Sequence, residues 1–362
     1  MRCEKGTQEM YSHCYQRLVA ACGPLRAWSS PIVMTISRRS LLTLVAAMLS
    51  PQPARAQKVT APPRIGWVSS EPPPDPFLDG FREGLRKHGY VEGQSVILEL
   101  RYVSRNLEAL HAAVSELITQ SKVNFIIASG PAIRALKAAK EAWVLFVVSG
   151  DPVELGIATS LAHPGGTFTG ITFLSLEIAG KRIELLKEAI PQLRTLAALS
   201  NTDHPGESSE RRATEAAAQA LGISLIYVPF RQFPFDVTGE LDTALDAVRR
   251  ARPDAMVVFP EGTTMVNRVK IAQFAIAQRL PSMFGWSEYC DAGGLMSYGA
   301  NQRDAYVRLA AFADKLLRGA KPTDLPIEQP TRFELVLNLK TAGLLGIAIP
   351  PLVMFRADRL IR

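Results

Sequence analysis

Cysteine is nearly missing from the body of this chain. Three of its four cysteines, Cys3, Cys14 and Cys22, fall near the start, and the fourth is Cys290. A lone thiol builds neither a disulfide framework nor a thiolate metal site. Long apolar runs are also missing. No stretch after residue 56 approaches the ~20 apolar residues that a membrane-spanning helix needs. Charge of one sign is lacking as well. The formal +7 comes from 41 Lys/Arg against 34 Asp/Glu, but residues 1–56 hold seven of the basic and two of the acidic side chains. The remainder carries 34 and 32, a balance of about +2. That removes the electrostatic case for a nucleic-acid partner. The loud catalytic motifs are absent too: no G-x-x-x-x-G-K-[ST], no G-x-S-x-G and no H-E-x-x-H. After the first strand, Ser69-Ser70-Glu71-Pro72-Pro73-Pro74 stands where a dinucleotide site would place glycines. A racemase of two α/β lobes commonly uses paired cysteines, and Cys290 has no second. The expectation is no cofactor, no metal and no catalytic residue.

What is present begins with an export leader. Ser37-Arg38-Arg39-Ser40-Leu41-Leu42 carries a twin arginine, Leu41 to Leu49 forms a short apolar run, and Ala54-Arg55-Ala56 is a small-residue cleavage site. Together they read as a twin-arginine signal peptide over 34–56, cut before Gln57. No cysteine lies near the cut, so a lipoprotein anchor is not expected. Met34 opens a leader of ordinary length, and residues 1–33 read as an extension from a misplaced gene start; the alternative is a long leader beginning at Met1. The mature product is expected to be soluble and periplasmic.

From Arg64 onward, short apolar runs alternate with helical periods, the pattern of parallel α/β structure. Strands are expected at 64–68, 96–102, 123–128 and 144–148. Helices lie between them: Phe77, Phe81 and Leu85 share one face, as do Leu107, Leu110, Val114, Leu117 and Ile118. Asn106 suits a helix cap and Pro131 a first helical turn. The order then repeats, with helices over 177–190, 208–221, 237–250 and 265–279 and strands over 194–200, 223–228, 255–259 and 282–285. A strand at 295–298, a helix at 302–318 and a segment at 333–337 follow. Two successive βα series of about 110 residues each imply two similarly built, Rossmann-like lobes. The expected domains are lobe 1 over 62–173, with part of 299–325 returning to it, lobe 2 over 174–298, and a C-terminal crossover segment over 326–362.

In open parallel sheets a ligand sits beyond the carboxyl ends of the strands. Those ends carry Ser69-Ser70, Ser129-Gly130, Ser149-Gly150-Asp151, Asn201 to Ser209, Glu261 to Thr264 and Trp286-Ser287. Hydroxyls and helix-start N–H groups suit a carboxylate, while Asp151 and Glu261 suit an ammonium. Plainer readings stand beside these. Ser129, Ser208 and Thr263 are natural helix caps, and Asp151-Pro152 is a turn signal. Glu261 reads equally as a solvated loop residue, and Trp286 as buried wall. His163-Pro164-Gly165-Gly166 reads as a tight turn, and His88 and His111 as surface residues.

Several segments resemble a known family. PFLDGFREGLRKHGYVEGQ, SGDPVELGIATSLAHPGGTFTGIT, LEIAGKRIELLKEAIP, AGGLMSYGAN and LLRGAKPTDLPIEQPTRFELVLNLKTAGLLGIAIP occur in order and span nearly the whole chain from Ile65 to Arg359. In these the chain resembles the ABC transporter substrate-binding proteins of the tryptophan/tyrosine-transporter type, in their proteobacterial branch. The resemblance implies a periplasmic-binding fold of type I with a hinge, closing over a small-molecule solute that an ABC permease in the inner membrane takes up. It implies a monomer and cleft loops around Ser69-Ser70, Ser129-Gly130, Asp151, Asn201 and Glu261. Three positions depart from the family: Asp75-Pro76 replaces His-Pro, Glu261 replaces Asp, and Gly130-Pro131 replaces Thr-Pro. The expected solute is an amino acid or related carboxylate. Rival readings are a ligand-sensing subunit for a membrane receptor and a two-lobed enzyme using Asp151 and Glu261.

Overall fold

The computed structural model describes residues 61–69, 75–103, 107–129, 132–173, 176–204, 206–231 and 237–362. The extension, the leader, Asn106, Pro131 and two expected site residues, Ser70 and Gly130, lie outside these residues.

Two sheets organise the chain. The first runs in the order β2 (Ile97–Tyr102), β1 (Arg64–Ser69), β3 (Phe125–Ser129), β4 (Val144–Val148) and β5 (Phe168–Thr172), with every pairing parallel. The second places β12 (Arg359–Ile361), β11 (Glu334–Asn338), β10 (Met296–Gly299), β9 (Ser282–Phe284), β8 (Ala255–Val258), β6 (Thr195–Asn201) and β7 (Ser224–Phe230) side by side. Only β10 and β11 run antiparallel.

Alternation along the strands feeds a core on each face of a sheet. In the first lobe Phe125, Ile127, Leu145 and Val147 pack with the helices Pro76–Lys87 and Gln302–Leu317. Ile126, Ala128, Val144 and Phe146 pack on the opposite face with Leu107–Thr119 and Ala132–Ala138. The helix Pro76–Lys87 starts where Asp75 caps it, accepting from the Phe77 and Leu78 amides at 3.0 and 3.1 Å, with Pro76 in its first turn. Its Gly84 lets Gln302–Leu317 approach: a Cβ there would stand 2.3 Å from the Val307 carbonyl oxygen. That close packing ties Gln302–Leu317 to the first lobe although it follows β10 of the second sheet.

The chain therefore crosses between lobes after β5, after β10 and before β11. The third crossing runs beside β5, where Thr172 N donates to Glu328 O and Glu328 N to Gly170 O, each at 2.9 Å. The segment over 326–362 is more than the crossover expected of it. Its first part crosses, and the rest adds β11 and β12 to the second sheet. The chain re-enters that sheet beside Gly299, at the carboxyl end of β10, so β11 must run back antiparallel with Glu334 opposite Gly299. Other departures are local. The expected helix over 265–279 is two, Gly262–Val266 and Arg268–Ala277, meeting at Asn267. β5 and the short helices Ser287–Asp291, Leu339–Leu345 and Pro351–Phe355 carry too little periodicity to be read. Among the described residues no helix is long and apolar enough to cross a membrane.

Candidate functional site

The carboxyl ends of the two sheets meet across a cleft. Ser69 is the last residue of β1 and is buried, Ser129 ends β3, and Asp151 follows β4. Asn201 ends β6, Glu261 follows β8, and Trp286 follows β9; all three are buried. The strand-end rule thus placed the described candidates at the strand ends, three on each lobe.

Their side chains are less free than the sequence suggests. Glu261 caps the helix Gly262–Val266, accepting from Thr263 N at 2.7 Å and Thr264 N at 2.5 Å, with Thr264 reciprocating in a capping box. Asn201 Nδ2 donates to the same carboxylate at 3.3 Å, and Asn201 Oδ1 accepts from Asp203 N at 3.0 Å. Burial raises the Glu261 pKa, while the Thr263 and Thr264 amides and Asn201 pull it back. Glu261 is not the solvated loop residue of the plainer reading. Asp151 accepts from Val153 N at 2.7 Å, the bond of an Asx turn. Trp286 meets Phe173 edge-on, with ring centroids 5.9 Å apart.

The structure adds contacts between the lobes that the strand ends alone do not reveal. Ser149 Oγ and His204 Nε2 lie 2.8 Å apart, one from each lobe. Arg134 Nη2 donates to Asp203 O at 2.7 Å. Glu154 accepts from Gly206 N at 2.9 Å and from Ser209 Oγ at 3.2 Å. Phe77 and Phe173 pack against the cores of both lobes. The lobes are thus in contact. Between them Ser149, Phe173, Arg182, Pro260, Trp286 and Phe333 enclose a space of about 10 Å³, barely enough for one water. A larger opening of about 400 Å³ lies among the crossovers, lined by Asn301, Asp304, Arg308 and Arg332. It lies beside the ends of β5 and β10, at the crossovers, whereas the smaller space is lined by residues that follow β4, β8 and β9 and marks the cleft.

A buried ion pair that no sequence pattern signalled lines the same space. Arg182 Nη1 donates to Glu210 Oε1 at 2.8 Å, and Arg182 Nε donates to Tyr298 O at 2.8 Å. Burial raises the Glu210 pKa, opposed by the Arg182 charge. Trp67 packs in the lobe 1 core against Phe81 and Tyr306, and its Nε1 donates to Asp75 at 3.1 Å. Among the described residues no cluster of three or more His, Cys, Asp or Glu is placed to hold a metal ion.

A tyrosine-binding protein of Clostridioides difficile is 19% identical over 279 residues, 76% of this chain and 78% of that one. The ABC domain from Streptococcus pneumonia solved in complex with L-Trp shares the fold at TM-score 0.75 and 23% identity, covering 83% of this chain and all of that one. A ligand-free, open substrate-binding protein with adhesive properties from Clostridium difficile gives TM-score 0.62 at 20% identity, covering 83% of this chain and 99% of that one. The profile of the family described as ABC transporter substrate binding protein matches residues 67–361. The two-lobed chain with its cleft at the strand ends belongs to that family.

Proposed function

We propose that this protein captures an amino acid or a related small carboxylate, aromatic or branched, between its lobes and delivers it to an inner-membrane ABC permease for import. The observation that carries this reading is the cleft itself. Ser69, Ser129 and Asp151 at the strand ends of one lobe oppose Asn201, Glu261 and Trp286 of the other. The relatives named for tyrosine and solved with L-Trp support the ligand class. The solute's carboxylate meets hydroxyls and amides at Ser70, Ser129 or Gly130. Its ammonium meets Glu261, Asp151 or both. Since Glu261 already accepts two helix amides, an ammonium joins a fixed carboxylate, which costs little reorganisation on binding. The test is mass spectrometry of the compound that co-purifies, followed by calorimetry with L-tryptophan and L-tyrosine. Turnover of the bound compound, or no affinity for any amino acid or aromatic acid, overturns the reading.

Export belongs to the same proposal. The Arg38-Arg39 pair directs the chain through a twin-arginine route, cleavage follows Ala56, and the mature protein starts at Gln57 as a periplasmic monomer. Replacing both arginines by lysine is expected to block export, because a receptor reads the pair. Recovery of stable, unprocessed protein in the membrane fraction speaks against it.

A further inference from the structure

Among the described residues, four hydrogen bonds join the lobes at the turn after β6 and the start of the helix Glu207–Ala220. On the second lobe the partners are Asp203, His204, Gly206 and Ser209; on the first they are Arg134, Ser149 and Glu154. Three of the four use backbone groups, carboxylate or guanidinium, whose state is constant near neutral pH. The fourth, between His204 and Ser149, is different because an imidazole changes charge in the physiological range.

We propose that His204 is a proton-released latch: its neutral ring holds the lobes together through Ser149, and its protonation opens the cleft. The proposal rests on the solute-binding reading only for what the cleft carries. Opening and closing are properties of the lobes themselves.

The surroundings of the ring explain the direction. The helix Ala132–Ala138 faces it with Arg134, a cation; Lys137 on the same helix is turned to Leu155 O. From the turn after β4 come Asp151 and Glu154. Asp151 is engaged by Val153 N, and Glu154 by Gly206 N and Ser209 Oγ. On the loop of His204 itself, Asp203 pairs with Arg231. On the following helix, Glu207 accepts from Ser200 and Tyr227. Asp151, Glu154 and Glu207 are thus bound to partners other than the imidazole. Burial and the Arg134 charge hold the His204 pKa down at about 4.

When the lobes part, the ring meets water and regains its ordinary value of about 6.5. The proton therefore binds the open form more tightly. Closure is at full strength above pH ~6.5 and weakens by about tenfold per unit as pH falls toward ~4. Between pH 7.5 and 5.0 the ratio of closed to open protein is expected to fall about 30-fold. Solute is then held at neutral pH and released in acid.

The test follows lobe separation in the ligand-free full chain, using a dye pair carried by non-natural residues at Lys140 and Arg250, both exposed and one on each lobe. Circular dichroism at both pH values confirms folding. The parent is expected to open on acidification by the factor above. In His204→Gln, whose amide can bond Ser149 but takes no proton, the change is expected to stay below about threefold. Ser149→Ala should weaken closure at pH 7.5. A parent that stays open or stays closed at both pH values overturns the latch, and so does a His204→Gln protein with the parent's slope. L-tryptophan is added in parallel as the probe. If lobe separation follows pH while L-tryptophan does not bind, the latch stands and the amino-acid reading fails. If L-tryptophan binds and separation ignores pH, the reverse holds.

Discussion

Around β1 to β5, with the helix Gln302–Leu317 packed there, the buried side chains are apolar apart from Ser69, Asp75, Thr169, Thr172 and Gln302, among the described residues. Around β6 to β12 the buried set takes in Arg182, Glu207, Glu210 and Glu261, with Ser200, Asn201, Thr263 and Thr264 beside them. The two sheets share a parallel plan, so folding alone does not demand this difference. Desolvated charges are expensive and gain little stability over well-packed apolar groups. Their concentration at the strand ends of one lobe points to a division of labour. The first lobe's interior is mostly apolar, and the second holds a preorganised polar surface. Asp75 is the charged exception in the first lobe. It is held by two helix amides and the Trp67 indole, and burial raises its pKa against those bonds.

The sharpest way to break this contrast is to remove one member of the buried pair. Glu210→Ala leaves the Arg182 guanidinium desolvated without its partner, and a loss of about 3–5 kcal/mol is expected. The exposed pair Asp246 and Arg249 supplies the control: Asp246→Ala should cost under ~0.5 kcal/mol. Denaturant midpoints measure both. Equal midpoints for the two variants would mean that the buried pair is not a special feature of the second lobe.

Much of the fold was legible because it rests on runs and periods. Val144 to Val148 reads as a strand buried on both faces, and Phe77, Phe81 and Leu85 read as one helical face. β5 was not legible: Phe168-Thr169-Gly170-Ile171-Thr172 has a central glycine at φ 151°, set against the backbone of Phe146, and only its neighbours make it a strand. The antiparallel return of β11 was equally hidden, since it depends on where the third crossing enters the sheet. In the site, position was readable and occupancy was not. The strand-end rule located Asn201, Glu261 and Trp286. Nothing local says that Glu261 would be spent on Thr263 and Thr264, or that Arg182 and Glu210, 28 residues apart on two helices, would meet.

A smaller effect, with a definite sign, comes from Glu261→Gln. One capping bond is lost, worth about 1 kcal/mol. Burial raises the Glu261 pKa above its ordinary 4.5. The protonated carboxyl is therefore favoured in the folded state. That contribution is complete below pH ~4.5 and is lost as pH rises through the raised value. The glutamine variant does not titrate, so its deficit relative to the parent should shrink as pH increases. Thermal melts of both proteins across pH 4 to 8 check this. A deficit that grows with pH means that the Thr263 and Thr264 amides outweigh burial, and the second lobe would then hold its carboxylate charged at no cost.

The smallest change is expected at Asp151, on the first lobe. Its carboxylate accepts from Val153 N in a turn, and an asparagine oxygen can accept the same bond. Asp151→Asn should therefore alter stability by less than ~0.5 kcal/mol. Binding is where this variant decides something. If the solute's ammonium rests on Glu261, as the contrast between lobes implies, then Asp151→Asn leaves affinity for the co-purifying compound within about threefold of the parent. If the ammonium rests on Asp151, a desolvated charge loses its partner and affinity falls by roughly 100-fold or more. Calorimetry on the folded variant separates the two outcomes. The larger loss would place the recognising charge on the first lobe, at the one strand-end carboxylate held there by a single backbone amide, and leave the polar surface of the second lobe to closure and support.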